Sequence, residues 1–121
     1  MVDVTTAIVI NRPPGAVAAV AGDPSHAALW LVHIATERWT VVEHVPAERL
    51  VLRTDEGPYP LELTTTWGPH DGDPERTIVR LRTTAEPTGA RRLLRGFIET
   101  ATKRANARDL LELKQLLERS R

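Results

Sequence analysis

The fold of this chain is decided by residues 6–30, whose informative parts read Thr6-Ala7-Ile8-Val9-Ile10-Asn11-Arg12-Pro13-Pro14-Gly15-Ala16-Val17, Ala19-Val20-Ala21-Gly22-Asp23-Pro24 and Trp30. The alternation of apolar side chains over Val2–Asn11 predicts a strand with one mainly apolar face. A proline suits the first turn of a helix, which we expect over Pro14–Ala21 with Gly22 as its end. Asp23 is predicted to cap a second short helix, Pro24–Trp30.

The remaining sequence predicts four strands and one long helix. The strands are expected over Arg38–Val45, Arg49–Arg53, Leu61–Trp67 and Thr77–Thr84. The polar stretch Gly68–Glu75 is expected to be a mobile, exposed loop. A helix is expected over Ala90–Glu118, with an apolar stripe that begins with Leu94, Phe97, Ile98, Ala101 and Ala105 and then shifts around the axis to Leu113, Leu116 and Leu117. This order of elements predicts an α+β domain with an antiparallel sheet.

Three later segments form an ordered set of motifs with the opening stretch: Val41–Leu50, Arg76–Leu81 and Asp109–Glu118. The set resembles the SRPBCC proteins, the START/Bet v 1-like superfamily that includes polyketide cyclases and dehydratases. The family patterns that they resemble are I-x-x-P-P-x-x-V with D-P and Trp, V-x-E-x-x-P-P-R-R-L, T-x-V-x-L and D-L-x-x-L-K-x-L-L-E. The resemblance covers nearly the whole chain and implies a helix-grip fold, an antiparallel sheet wrapped around a long C-terminal helix. It also implies a cavity between sheet and helix.

The chain departs from this family between Trp30 and Val41, where only ten residues separate the tryptophan from the hairpin motif. Members of the family usually carry extra strands at this point, so about one hairpin of sheet is missing here. A shortened sheet leaves a strand edge bare, and bare edges tend to be covered or paired. We therefore predict a homodimer formed through the shortened edge.

Length and composition exclude several classes of protein. The 121 residues are expected to form one domain, and the absence of cysteine excludes disulfides and thiolate metal sites. Neither a long apolar run nor a signal-peptide pattern is found, so we expect a cytoplasmic protein that does not insert into a membrane. A net charge of zero argues against nucleic-acid binding. Metal-ligand, phosphate-loop and dinucleotide motifs are lacking, so no metal or cofactor is predicted.

The charge is distributed unevenly along the chain. Residues 1–88 hold 7 basic and 12 acidic side chains, a net charge of −5, whereas residues 89–121 hold 9 basic and 4 acidic ones, a net charge of +5. The basic helix can simply lie on a more acidic sheet domain. It can alternatively dock an acidic partner, in which case the protein is an interaction module that depends on Arg91, Arg92 and Arg95.

Three residues are candidates for proton transfer. His33 lies between apolar neighbours, and imidazole titrates near neutral pH, but the same pattern is typical of a partly exposed strand histidine. Glu43 lies on a strand whose two faces are both mixed, so the sequence does not decide whether it faces the cavity or solvent. Tyr59 is the third candidate. The resemblance to polyketide cyclases allows cyclase or dehydratase chemistry with these groups.

The candidate ligand-binding residues are the aromatic and apolar side chains expected between sheet and helix, together with one threonine: Trp30, Trp39, Leu63, Thr65, Trp67, Val79, Leu81, Phe97 and Ala101. Phe97 of the helix is expected to lie opposite Trp67 of the sheet. Such side chains are equally typical of core packing and of the walls of a pocket for a planar ligand. The sequence thus predicts binding of a hydrophobic or aromatic small molecule, by an enzyme or by a passive carrier.

Overall fold

The computed structural model of the protein describes residues 1–31, 39–55 and 59–119. Its elements are β1 (Val2–Ile10), α1 (Pro14–Ala21), a 3-10 turn (Pro24–His26), α2 (Ala27–Trp30), β2 (Thr40–Val45), β3 (Arg49–Thr54), β4 (Leu61–His70), β5 (Asp73–Ala85), a second 3-10 helix (Gly89–Leu94) and α3 (Arg95–Arg119). The five strands form one antiparallel sheet in the order β1-β5-β4-β3-β2. The predicted α+β class, element order and long C-terminal helix are confirmed.

The opening stretch folds as its sequence predicts. Pro14 begins α1, and the backbone N–H of Gly22 donates to the carbonyl oxygen of Ala18 at 2.9 Å to end it. The carboxylate of Asp23 accepts a hydrogen bond from the backbone N–H of Ser25 at 2.9 Å, as a helix cap does. Gly22 is buried beneath the indole of Trp67, so these turns position α1 against β4 and β5.

The predicted loop over Gly68–Glu75 is wrong. β4 continues to His70 and β5 begins at Asp73, so that a turn of two residues joins them. Both turn residues have positive φ, 51° at Asp71 and 75° at Gly72. An Asp-Gly pair in this conformation matches the twist of a β-hairpin, which explains why the polar stretch extends the sheet instead of leaving it.

The inner face of the sheet is the face that packs against the helices. It consists of Val2, Val4, Thr6, Ile8 and Ile10 of β1, Thr77, Val79, Leu81, Thr83 and Ala85 of β5, Leu61, Leu63, Thr65 and Trp67 of β4, and Leu50, Leu52 and Thr54 of β3. α3 packs chiefly against β1 and also against β5. The C-terminal part of α3 is hydrogen-bonded to β1, because Nζ of Lys114 donates to the carbonyl oxygen of Val9 at 2.9 Å.

The first half of the predicted apolar stripe of α3 is correct only in part: Ile98 and Ala105 are partly buried, and Ile98 packs against Val2, Val4 and Ala85. Leu94, Phe97 and Ala101 are exposed, and the buried residues of the helix are Thr102, Asn106, Asp109, Leu110, Leu113 and Leu117. Apart from the neighbours Asp109 and Leu110, successive positions are three or four residues apart, so the helix buries one face from Thr102 to Leu117. The buried face does not shift around the axis. It changes from polar to apolar along the helix.

Candidate functional site

The structure gathers most of the predicted ligand-binding residues on the inner face and beside it. Trp30, Leu63, Trp67, Val79 and Leu81 are buried in one apolar cluster. Thr65 is buried in the same face of β4, and Trp39 is partly buried against the cluster. The chain leaves the described residues after Leu31 and returns at Trp39, and both ends contact this cluster. These placements bring the predicted set together in the interior.

Two predicted ligand-binding residues lie elsewhere. Phe97 is 77% exposed and Ala101 is also exposed, so neither faces the sheet. The expectation that Phe97 lies opposite Trp67 is therefore wrong. The side chains that α3 directs inward near this level are the apolar Ile98 and the polar Thr102, and apolar periodicity alone does not reveal Thr102.

Asn106 is the central polar residue of this interior. It is 0% exposed, and its Oδ1 accepts a hydrogen bond of 2.9 Å from the hydroxyl of Thr83 on β5. Thr102 and Asp109, one turn to either side, are buried on the same face of α3. A signal in the sequence could have found these three residues. Leu113 and Leu117 mark the buried face of the helix, and steps of three or four residues from Leu113 toward the N-terminus reach Asp109, Asn106 and Thr102.

Three buried polar atoms have no hydrogen-bond partner among the described residues: Thr6 Oγ1, Trp67 Nε1 and Asn106 Nδ2. Thr6 lies opposite Leu81 on the inner face, two residues along β1 from Val4, which pairs with Thr83. Asn106 Nδ2 and Trp67 Nε1 are donors only, whereas a threonine hydroxyl can also accept. The interior thus combines buried apolar side chains with a few unpartnered polar atoms, mainly donors.

The three candidate proton-transfer residues are not brought together in the described part of the chain. Glu43 pairs with Val51 across β2 and β3, on the outer face, and its carboxylate forms an ion pair with Arg49. The register shift between Val41 and Glu43 sets this orientation. His33 lies outside the described residues. The alternative of a solvent-facing Glu43 is therefore the one that the structure supports.

Tyr59 lies at another end of the sheet. It is half-buried against a small cluster of Val2, Val4 and Ala85, which Ile98 of α3 also contacts. Burial raises the pKa of the Tyr59 phenol, and the positive charge of Arg91 opposes that rise. A phenol in this position stays protonated at neutral pH and can donate a hydrogen bond.

An open groove of about 750 Å³ lies among α1, α2 and the end of α3. Its walls come from α1, α2 and the end of α3: Ala16, Val20, Leu29, Leu116 and Leu117, with Arg12 and His26 among its polar residues. The guanidinium of Arg12 donates to the carbonyl oxygens of Asn11 and Glu118. Nδ1 of His26 lies 3.2 Å from the carbonyl oxygen of Ala19. Because these polar groups bind the chain itself, the interior with its unpartnered donors is the stronger candidate site.

Two further properties concern the described residues alone. No group of three or more His, Cys, Asp or Glu side chains is placed to hold a metal ion within residues 1–31, 39–55 and 59–119. Within those same ranges, the helices are too short or too polar to cross a membrane.

Comparisons with known proteins identify the fold. No family model and no curated protein matches the sequence. The Thermus thermophilus protein TTHA0849 is 21% identical with a TM-score of 0.69, and the match covers 98% of each chain. A START superfamily protein from Mycobacterium smegmatis is 9% identical with a TM-score of 0.73 and 97% of each chain covered. The di-domain ARO/CYC BexL from the BE-7585A biosynthetic pathway is 18% identical with a TM-score of 0.76, covering 98% of this chain and 47% of BexL. The chain has the START-like helix-grip fold that its motifs resemble.

Proposed function

We propose that this protein binds a hydrophobic or aromatic small molecule between α3 and the inner face of the sheet. The observation that carries the proposal is Asn106, which is fully buried and whose Nδ2 has no partner among the described residues. A buried donor without a partner costs about 1–3 kcal/mol, so such a group is commonly satisfied by a water or a ligand.

The chemistry of the site limits the class of ligand. Oδ1 of Asn106 already accepts from Thr83, so the amide has only donor capacity left. The matching ligand group is an acceptor, such as a carbonyl or phenolate oxygen, on an apolar body that would pack against side chains such as Leu63 and Leu81. The fold shared with BexL and with the START superfamily protein supports placing the ligand between α3 and the inner face of the sheet.

Binding is favoured over catalysis because the predicted proton-transfer residues do not converge in the described part of the chain. A cyclase or dehydratase is the second candidate, and the buried carboxyl of Asp109, one turn from Asn106 on the same helix face, favours it. Proton transfer requires a titratable group within hydrogen-bond reach of the ligand. An Asp109→Asn variant of an enzyme would keep ligand affinity and lose turnover, whereas a carrier has no turnover to lose.

Calorimetric titration with two matched probes tests the proposal. 1,4-Naphthoquinone carries two carbonyl acceptors, and naphthalene has the same ring system without them. We expect the quinone to bind the protein about tenfold more tightly than naphthalene, because one added hydrogen bond is worth about 1 kcal/mol or more. In an Asn106→Leu variant the preference disappears and the naphthalene affinity stays.

A matched control is Thr77→Val, which alters another buried side chain of the inner face. Its hydroxyl donates to the carbonyl oxygen of Arg12 at 2.7 Å, so it is already satisfied by the chain. This variant is expected to keep the preference for the quinone. Equal affinities of the two probes for the unmodified protein, or an unchanged preference in Asn106→Leu, would contradict the proposal.

A second part of the proposal is that two copies pair through β2, the shortened edge of the sheet. Among the residues that the structure describes, β2 pairs with β3 and with no other strand, and its Val41 and Val42 are 45% and 52% exposed. Exposed apolar side chains on an edge strand favour pairing with another chain. Native mass spectrometry is expected to show a dimer that Val42→Lys dissociates and that Thr5→Lys, on the opposite edge strand β1, leaves intact. A strictly monomeric protein at high concentration would contradict this part.

A further inference from the structure

The outer stripe of α3 consists of Phe97, Ala101, Arg104, Arg108 and Leu111, which are all exposed. Successive members are three or four residues apart, so they lie in one line along the helix. At 1.5 Å per residue the line is about 21 Å long. It faces away from the sheet, because the opposite side of the helix carries Asn106 and the buried leucines.

The 3-10 helix before α3 extends this surface. Leu93 is 88% exposed and Leu94 is 49% exposed. Isolated exposed apolar side chains are common in proteins. Here Leu93 lies four residues before Phe97, and the two side chains border a shallow depression of about 350 Å³. Large apolar groups are therefore concentrated at the start of the stripe.

The same surface is strongly basic. Arg91, Arg92 and Arg95 are exposed beside Leu93, and Arg104 and Arg108 lie farther along. Arg95 pairs with Glu99 at 3.1 Å. Over the stretches of chain that the structure describes, the other four arginines form no ion pair with a carboxylate. Their positive charges are available to an anionic partner.

We infer that this surface docks on an anionic lipid bilayer. A straight basic helix face with phenylalanine and leucine among its arginines is typical of segments that lie at a membrane surface. A bilayer is flat, so it can contact the whole line of side chains at once. The guanidinium groups would bind lipid phosphates, and Leu93 and Phe97 would enter the headgroup region. A second copy of the same surface would instead place arginines against arginines.

The inner and outer faces of α3 can act at the same time. Asn106 faces the sheet, whereas Arg104 and Arg108 face outward, so docking leaves the interior site covered by the same helix. The inference does not depend on the ligand proposed above. Variants on the outer stripe are expected to keep the affinity for naphthoquinone, and Asn106→Leu is expected to keep the affinity for vesicles.

Co-sedimentation of the full chain with lipid vesicles tests the inference. We expect binding to vesicles of phosphatidylcholine containing phosphatidylglycerol, weakening as salt is added, and little binding to phosphatidylcholine alone. Arg104→Glu/Arg108→Glu is expected to weaken binding about 30-fold or more, since each arginine near the surface contributes about 1 kcal/mol. Leu93→Ser/Phe97→Ser is expected to weaken it about tenfold or more.

The matched control is Arg76→Glu/Arg80→Glu, which reverses two exposed arginines of β5 on the sheet. It makes the same change in net charge and is expected to keep vesicle affinity within about twofold. Circular dichroism of each variant checks that the fold is intact. Absence of binding to the anionic vesicles would overturn the inference and favour an acidic protein surface as the partner. Equal losses in the stripe and control variants would overturn it as well.

Discussion

The hydroxyl of Thr83 on β5 donates a hydrogen bond of 2.9 Å to Oδ1 of Asn106 on α3, and both residues are 0% exposed. This bond joins the sheet to the C-terminal helix within an interior whose other contacts are mostly apolar. It also fixes the orientation of the amide, because Oδ1 faces Thr83 and the donor side of the amide is left for another partner.

The Thr83–Asn106 bond predicts a measurable coupling. Thr83→Val removes the donor and leaves Oδ1 of Asn106 buried without its partner, which should lower the free energy of unfolding by about 1–3 kcal/mol. Adding Asn106→Leu removes the stranded amide. The double variant should therefore be less destabilised than the sum of the single variants by about 1 kcal/mol. Urea denaturation of the four proteins measures this coupling, and strictly additive changes would refute it.

The surroundings of Gly22 and Gly15 predict opposite effects on stability when each glycine is replaced by alanine. A Cβ at Gly22 would lie 2.7 Å from the carbonyl oxygen of Ala18 and 2.8 Å from Cζ2 of Trp67. Gly22→Ala should therefore cost about 1–3 kcal/mol of stability. A Cβ at Gly15, within α1, would meet no atom within 4 Å. Gly15→Ala should stabilise the protein by about 0.5–1 kcal/mol. Thermal unfolding of both variants checks the contrast, which fails if the two changes have the same sign.

We expect the carboxylate of Glu118 to make a contribution to stability that depends on pH. Its carboxylate accepts from the backbone N–H of Asn11 at 2.9 Å and from Nζ of Lys114 at 2.6 Å, and these bonds hold the pKa of Glu118 below its ordinary value of 4.5. A lowered pKa in the folded state stabilises the fold above the unfolded pKa, and this stabilisation is lost as pH falls through the folded value.

Glu118→Gln should accordingly lower the free energy of unfolding by about 1 kcal/mol at about pH 7. The deficit should shrink as pH falls through the lowered pKa of Glu118, where the wild-type carboxylate becomes protonated. Urea denaturation at several pH values measures it. Glu112→Gln on the same helix is the control, with an expected change of a few tenths of a kcal/mol at most. A deficit that is constant down to about pH 2 would show that the bonds to Glu118 do not require its charge.

The outward orientation of Glu43 predicts that this residue is dispensable for ligand binding. Glu43→Gln removes the ion pair with Arg49 on the outer face. Exposed ion pairs contribute about 0–1 kcal/mol, so the loss of stability should be small. The affinity for 1,4-naphthoquinone in calorimetry should be the same as in the unmodified protein. A loss of affinity above about threefold would mean that Glu43 reaches the ligand.

The fold was predictable because local signals agree with one another. The alternation over Val2–Asn11, the proline that begins α1 and the Asp23 cap each specify a local structure, and all of them appear. The prediction for the Gly68–Glu75 stretch is wrong because its glycines, aspartates and prolines are typical of loops. The decisive signal was narrower, since Asp71-Gly72 is a pair that adopts the two positive φ values of a tight hairpin.

The site was predictable only in its apolar part. Leu63, Val79 and Leu81 follow strand periodicity and lie in the interior. A search for an apolar stripe could not find Asn106, because Asn106 is polar. It is buried because the hydroxyl of Thr83, which is distant in the sequence, satisfies its Oδ1. The face of Glu43 was undecidable because a register shift in β2 overrides simple alternation, and such a shift depends on pairing with β3.

Ligand binding at Asn106 is tested most directly by observing the side-chain amide of Asn106 itself. The chain contains two asparagines, Asn11 and Asn106, and one glutamine, Gln115, so a two-dimensional ¹⁵N–¹H spectrum holds few side-chain amide pairs and Asn106→Leu identifies one of them. Asn11 and Gln115 are exposed and serve as internal controls. On saturation with 1,4-naphthoquinone, the Asn106 amide protons are expected to shift and the signals of the other two side chains are expected to stay unchanged. An Asn106 amide that does not respond, or that shifts no more than the controls, would contradict ligand binding at Asn106.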